Sequence, residues 1–85
     1  MKHTQIIGIQ ITDRIKEAGK TQDLLSKHAE IINSRIGFHE LSSEVCSRKG
    51  IIILHLVGDP IKWSDFHTEI RSIEGIIVQQ MDFTL

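Results

Sequence analysis

At 85 residues the chain can hold one modest core and no second one, so an elaborate site must lie on its surface or between subunits. Composition is that of a globular protein, 40% hydrophobic and 25% charged with six Gly and one Pro, which excludes disorder and repeat arrays. A formal net charge of -1 without a block of Lys or Arg leaves no electrostatic footprint for a phosphate backbone, so direct nucleic-acid binding is not expected.

The apolar content is dominated by isoleucine, with few aromatics, which favours strands. Thr4 to Thr12, "TQIIGIQIT", alternates, with Ile7, Ile9 and Ile11 on one face and Ile6, Gly8 and Gln10 on the other. This is the first strand. Asp13 can cap a following helix whose expected buried positions are Ile15, Ala18, Leu24, Leu25, His28 and Ile32, and Gly19 weakens its middle by roughly 1 kcal/mol relative to Ala. The helix should end near His28 to Glu30.

Ile31 to Phe38, "IINSRIGF", is short, partly β-branched and interrupted by Gly37 near its end, and reads as a second strand. Glu40 to Gly50 is polar, carries Ser42, Ser43, Ser47 and Gly50, and is expected to connect to a third strand. That strand, Ile51 to Val57, is the most apolar run and should lie centrally in the sheet. Asp59 as N-cap with Pro60 at the first helical position opens a second helix, in which Trp63, Phe66, Ile70 and Ile73 recur at helical spacing before Gly75 stops it. Trp63 is expected to pack in the core. Ile76 to Thr84 alternates as a fourth strand.

The order β-α-β-β-α-β predicts an α+β, ferredoxin-like sandwich over residues 1–85, with a four-stranded antiparallel sheet and two helices on one face. Right-handed crossovers place strands one and three in the middle. If Ile7, Ile9, Ile11, Ile52, Leu54 and Leu56 point at the helices, then Ile6, Ile51, Ile53 and Val57 form an apolar surface on the other side, the mark of an interface. A homo-oligomer built through this open sheet face is expected.

The pattern "GIQITDR", then "LL" in the helix, "IINSRIGF", "GIIILHLVG" and "IEGIIVQQM" resembles the small family of iron-only hydrogenase system regulators, which are ferredoxin-like and ACT-like. The resemblance spans nearly the whole chain and rests on Asp13, Arg14, Leu24, Leu25, Arg35, Gly37 and Gly75. It implies a small regulatory domain, and the segment His39 to Gly50 departs from the family's pattern. Asp13, Arg14, Arg35 and Gly37 are the candidate ligand-binding residues for a small anionic or amino-acid-like effector, since guanidinium suits carboxylate recognition. The plainer reading of the two arginines is a solvated charge or a surface pair worth little; against it stand pairing with Asp13 or Glu40 and the holding of an anionic effector.

His39 and Cys46, with His55 or a neighbouring subunit as source of a third ligand, form the alternative, a transition-metal sensor, because imidazole and thiolate suit zinc, nickel or copper. Their spacing is not that of a close ligand pair. A small enzyme with a site between subunits, using His39 or Cys46, is a further alternative. Against catalysis, "GKT" at Gly19 to Thr21 lacks the upstream glycine-rich phosphate loop, and Cys46 has no sequence partner that makes it a nucleophile. Nor does the chain carry the aromatic pair of an RNA-binding sheet. His28 and His67 are expected to be partly exposed on the helices. No cofactor is implied. With no cleavable leader pattern at "MKHTQIIGIQIT" and no run long enough to span a bilayer, the sequence reads as cytoplasmic, without membrane contact.

Overall fold

The computed structural model describes the backbone of residues 2–12, 14–41 and 46–85, and the side chains of residues 2–12, 19–37 and 50–85. Strand β1 (His3–Ile11) leads to helix α1 (Arg14–Lys27), a 3-10 turn (Ala29–Ile31), strands β2 (Ile32–Leu41) and β3 (Cys46–Leu56), a second 3-10 turn (Pro60–Lys62), helix α2 (Trp63–Arg71) and strand β4 (Ile76–Thr84). The strands form one antiparallel sheet in the order β2-β3-β1-β4, which is the ferredoxin-like arrangement, with β1 and β3 central as the crossovers require.

Alternation fixes the faces. Ile7, Ile9 and Ile11 of β1 and Ile52, Leu54 and Leu56 of β3 are buried together with Leu24 and Leu25 of α1 and Trp63, Phe66 and Ile70 of α2. Ile31, expected to begin the second strand, instead closes the 3-10 turn and is buried in the same core. At the other end of β3 the chain turns at Gly58, whose φ of +91° suits glycine. Asp59 caps the turn at Pro60–Lys62, its Oδ1 accepting from the Ile61 backbone N at 3.0 Å, but that turn is 3-10 and not α-helical. The α-helix proper starts at Trp63, whose Nε1 donates to the Val57 carbonyl at 3.0 Å and so ties α2 to the end of β3. The helix ends at Arg71, and Gly75, at φ +83°, makes the turn into β4 while its carbonyl accepts from Thr12 N at 2.9 Å.

The hairpin of β2 and β3 is longer than the sequence predicts. Glu40 and Leu41 belong to β2, and Cys46 to Gly50 belong to β3, with Leu41 paired to Cys46 across a register shift. Pairing of β1 with β3 stops at Ile11 opposite Gly50, so residues 46–49 of β3 run on with β2 alone. The serines at 42 and 43 lie outside the described residues.

Helix α1 carries Gly19 in its interior, and a Cβ there would meet nothing within 4 Å. Gly19→Ala is therefore expected to stabilise the protein by about 0.5–1 kcal/mol through the unfolded chain's lost freedom, read as a higher urea midpoint. The two helices are joined at their surface by Lys27 Nζ, which reaches both Glu69 oxygens at 2.8 and 3.0 Å. No helix among the described residues is long and apolar enough to cross a membrane.

Candidate functional site in the groove between helix and edge strand

The inward face of β1 is apolar except at its first two positions, His3, which is exposed, and Gln5, which is only 3% exposed. A buried primary amide must place both ends of its dipole on partners. The register provides them, because Gln5 lies opposite Asp82 of β4, and α2 packs its His67 over the same point. Gln5 Nε2 donates to Asp82 Oδ1 at 2.5 Å, and Gln5 Oε1 accepts from His67 Nε2 at 2.5 Å. On β4, Gln80 Nε2 donates to the other carboxylate oxygen, Asp82 Oδ2, at 2.9 Å, and Gln80 Oε1 accepts from Arg71 Nη2 at 2.9 Å. One continuous chain of hydrogen bonds thus runs from imidazole to guanidinium through two glutamines and a carboxylate.

Helical spacing builds the other wall. Trp63, His67 and Arg71 recur every fourth residue of α2 and line one groove of about 630 Å³ together with Gln5, Gln80 and Asp82. The Asp82 carboxyl is held below the ordinary carboxylate range, chiefly by the Gln5 amide and then by that of Gln80. It is an anion at neutral pH. The His67 imidazole is lowered from its ordinary value, first by partial burial and then by the Arg71 guanidinium, against the opposing pull of Asp82. It is therefore neutral at neutral pH, with its proton on Nε2 facing Gln5.

That shift links stability to pH. Below its ordinary value near 6.5 the unfolded histidine takes up a proton that native His67 still refuses, so this contribution is complete above about pH 6.5 and is lost as pH falls toward the lower native value. The urea midpoint of the native chain is expected to drop between about pH 7.5 and about pH 5.5, and His67→Gln, which can still donate to Gln5, should flatten that slope. An unchanged slope would assign the effect to other groups.

The residues singled out in the sequence are dispersed. Arg35 lies on β2 opposite Leu54 and donates from Nη1 to Gln22 Oε1 of α1 at 2.9 Å. Gly37 faces Ile52, where a Cβ would stand 4.0 Å from Ile52 Cγ1, an ordinary contact. Arg14 is the first residue of α1, its side chain outside the described residues, and Asp13 lies outside them altogether. Arg35 sits opposite Leu54, four positions or about 13 Å of strand along β3 from Gly50, where the pairing with β1 ends.

His39 pairs with Gly50 and Cys46 with Leu41, both with side chains outside the described residues. His55 pairs with Ser34, five positions along β3 from Gly50 and nine from Cys46, or about 17 and about 30 Å of strand. Within one chain the backbone does not bring the three together. His55 lies on the helix-free face, its ring between Thr4 Oγ1 and Asn33 Nδ2, the latter at 3.3 Å from Nδ1. No group of three or more metal-ligating side chains occurs among the described residues.

No protein-family model matches the chain, and no curated protein matches it. Solved structures do. The uncharacterized protein TM1266 from Thermotoga maritima is 25% identical with a TM-score of 0.80, covering 99% of this chain and 100% of that one. CPII from Thiomonas intermedia K12, solved bound to ADP, AMP and acetate, is 11% identical with a TM-score of 0.60 over 95% of this chain and 86% of its own. The divalent ion tolerance protein CutA1 from Ehrlichia chaffeensis is 15% identical with a TM-score of 0.56 over 100% and 85%. The last two share the fold alone.

Proposed function

We propose that the chain is a small non-enzymatic regulatory domain, as its resemblance to the iron-only hydrogenase system regulators implies, and that it works as a homo-oligomer assembled through the helix-free sheet face. One observation supports the assembly. Ile36, Ile51, Ile53, Ile77, Met81 and Phe83 are all exposed, by between 36% and 64%, and all lie on that one face of the sheet. Solitary apolar residues on a surface need no explanation, but a patch over β2, β3 and β4, with the half-buried Ile6 of β1 between them, does.

A second copy of the chain suits this face. Its described side chains on β1 (Thr4, Ile6, Gln10), β3 (Ile51, Ile53, His55) and β4 (Ile77, Gln79, Met81, Phe83) include no Asp, Glu, Lys or Arg, so two copies face each other without charge repulsion. Gly8 leaves a hollow of about 210 Å³ among Ile6, Ile53, Gln79 and Met81, into which an apolar side chain of the facing copy can insert. A two-fold axis would repeat each such contact. An effector would regulate by binding one assembly state more tightly than another, and Arg35, on the helix side of β2, retains guanidinium donors beyond the one given to Gln22 for a small anion.

Sedimentation velocity of the purified chain at micromolar concentration tests the assembly. A species at a multiple of 9.7 kDa is expected, and a single 9.7 kDa species would overturn the reading.

A further inference from the structure

Arg71 and Asp82 approach the same glutamine from opposite sides instead of pairing with each other. Gln80, an exposed residue, presents its carbonyl oxygen to the cation and its amide nitrogen to the anion, each at 2.9 Å. The oxygen and nitrogen of an amide lie roughly 2.2 Å apart. An α-amino acid carries the same polarity over a slightly greater span, with acceptor oxygens at one end and N–H donors at the other, and with full charges in place of partial ones.

We propose that the groove between α2 and β4 is a binding site for a small zwitterion of the α-amino-acid class, whose carboxylate goes to Arg71 and whose ammonium goes to Asp82 in place of the Gln80 amide. The inference deepens the effector-sensing part of the proposed function and rests on that reading for its regulatory meaning.

Three features of the groove favour this occupant. The anionic end is built in, because Asp82 keeps Oδ1 on the Gln5 amide, which is buried and itself oriented by His67, so the carboxylate stays in place when Gln80 leaves. Gln80 is free to leave, since its side chain is at the surface and water can take over its two hydrogen bonds, while the ligand sets a full charge opposite each ion where the amide offers only a dipole end. The volume, about 630 Å³, lies in the range of small-molecule sites, and Pro60, Ser64 and Thr84 line the space left for a ligand side chain.

The same charges argue against a polyanion. Among the described lining residues Arg71 is the one permanent cation, beside the imidazoles of His3 and His67, and the Asp82 carboxylate would repel a di- or triphosphate. A lone amine or a lone carboxylate would satisfy one end and leave the other to Gln80.

The full chain, labelled with nitrogen-15, should be titrated with the proteinogenic L-amino acids singly, and with acetate and methylammonium as the two half-ligands, each to about 10 mM. At least one amino acid is expected to move the amide resonances of Arg71, Gln80 and Asp82 along a saturable curve, while neither half-ligand saturates at that concentration. Arg71→Gln and Asp82→Asn should each weaken the binding by about tenfold or more, and Gln80→Ala, which removes the internal competitor, should tighten it by a few-fold.

Absence of any saturable amino acid, or binding that Arg71→Gln leaves unchanged, would overturn the site. Weaker binding in Gln80→Ala would overturn the displacement of that side chain. Sedimentation of the same samples separates the two readings: an oligomer that binds no amino acid overturns this inference alone, whereas a monomer that binds one keeps the site and overturns the assembly.

Discussion

Phe66→Ala is expected to remove about 3–5 kcal/mol of folding stability, a large share of what a domain of this size possesses. The ring is fully buried on α2, sits edge-on to His28 with centroids 5.4 Å apart, and packs into the cluster formed by the isoleucines of β1 and the leucines of β3. Truncation removes the apolar surface of the ring and leaves a cavity between helix and sheet that the strands cannot close without breaking their register. A chain of 85 residues has a total stability of about 4–13 kcal/mol by the usual per-residue range, so the loss takes between about a quarter and all of it. Urea unfolding at one fixed protein concentration measures it, because assembly would make the midpoint depend on concentration. Ile61→Ala, at a side chain 81% exposed, is the matched control and should shift stability by less than about 0.5 kcal/mol.

Ile53→Lys should act on assembly with little effect on the fold. Ile53 lies on the open face of β3, between Gly8 of β1 and Ile36 of β2, and its side chain is 37% exposed in the single chain. In the monomer a lysine there reaches water. In a two-fold assembly the same substitution places two ammonium groups into an apolar contact, each without a carboxylate partner, and symmetry doubles the penalty. The dissociation constant is expected to rise by about 100-fold or more, corresponding to about 3 kcal/mol, with an unchanged circular dichroism spectrum. If sedimentation finds the variant assembled as tightly as the native chain, the interface lies elsewhere.

Most of the scaffold is legible in the sequence because most of it is amphipathic. Ile7, Ile9 and Ile11 alternate, Trp63, Phe66 and Ile70 recur at helical spacing, and each set is buried where the pattern places it. The extra length of the β2–β3 hairpin is not legible, for a physical reason. Where β3 has no β1 beside it, the two-stranded ribbon carries polar residues such as Ser47, Arg48 and Lys49, so alternation carries no signal there while the backbone still pairs. The 3-10 start of the second helix is hidden in the same way, because Asp59 and Pro60 mark a helix start of either kind.

The groove is a harder case. Gln5 stands two residues before Ile7 on what is otherwise an apolar face, and a glutamine in that position is a hint of a buried polar cluster. Its partners, however, are 62 and 77 residues away, and only the antiparallel register of β1 with β4 and the seating of α2 bring His67 and Asp82 to it. The sequence pattern around Arg35 and His39 points to the hairpin, while the five-residue polar network of the groove is assembled from residues that are unremarkable one at a time.

The strand order also sets a timetable for folding. β2 and β3 are neighbours in sequence and in space and can zip together as soon as both are made, but β1 borders β3 and β4, so one of its edges has no partner until Ile76 to Thr84 has been synthesised. During that interval the isoleucine-rich first strand has an open backbone edge and apolar residues on both faces. The stage most exposed to aggregation is therefore the wait for β4, and a chain truncated before Ile76 would remain in it.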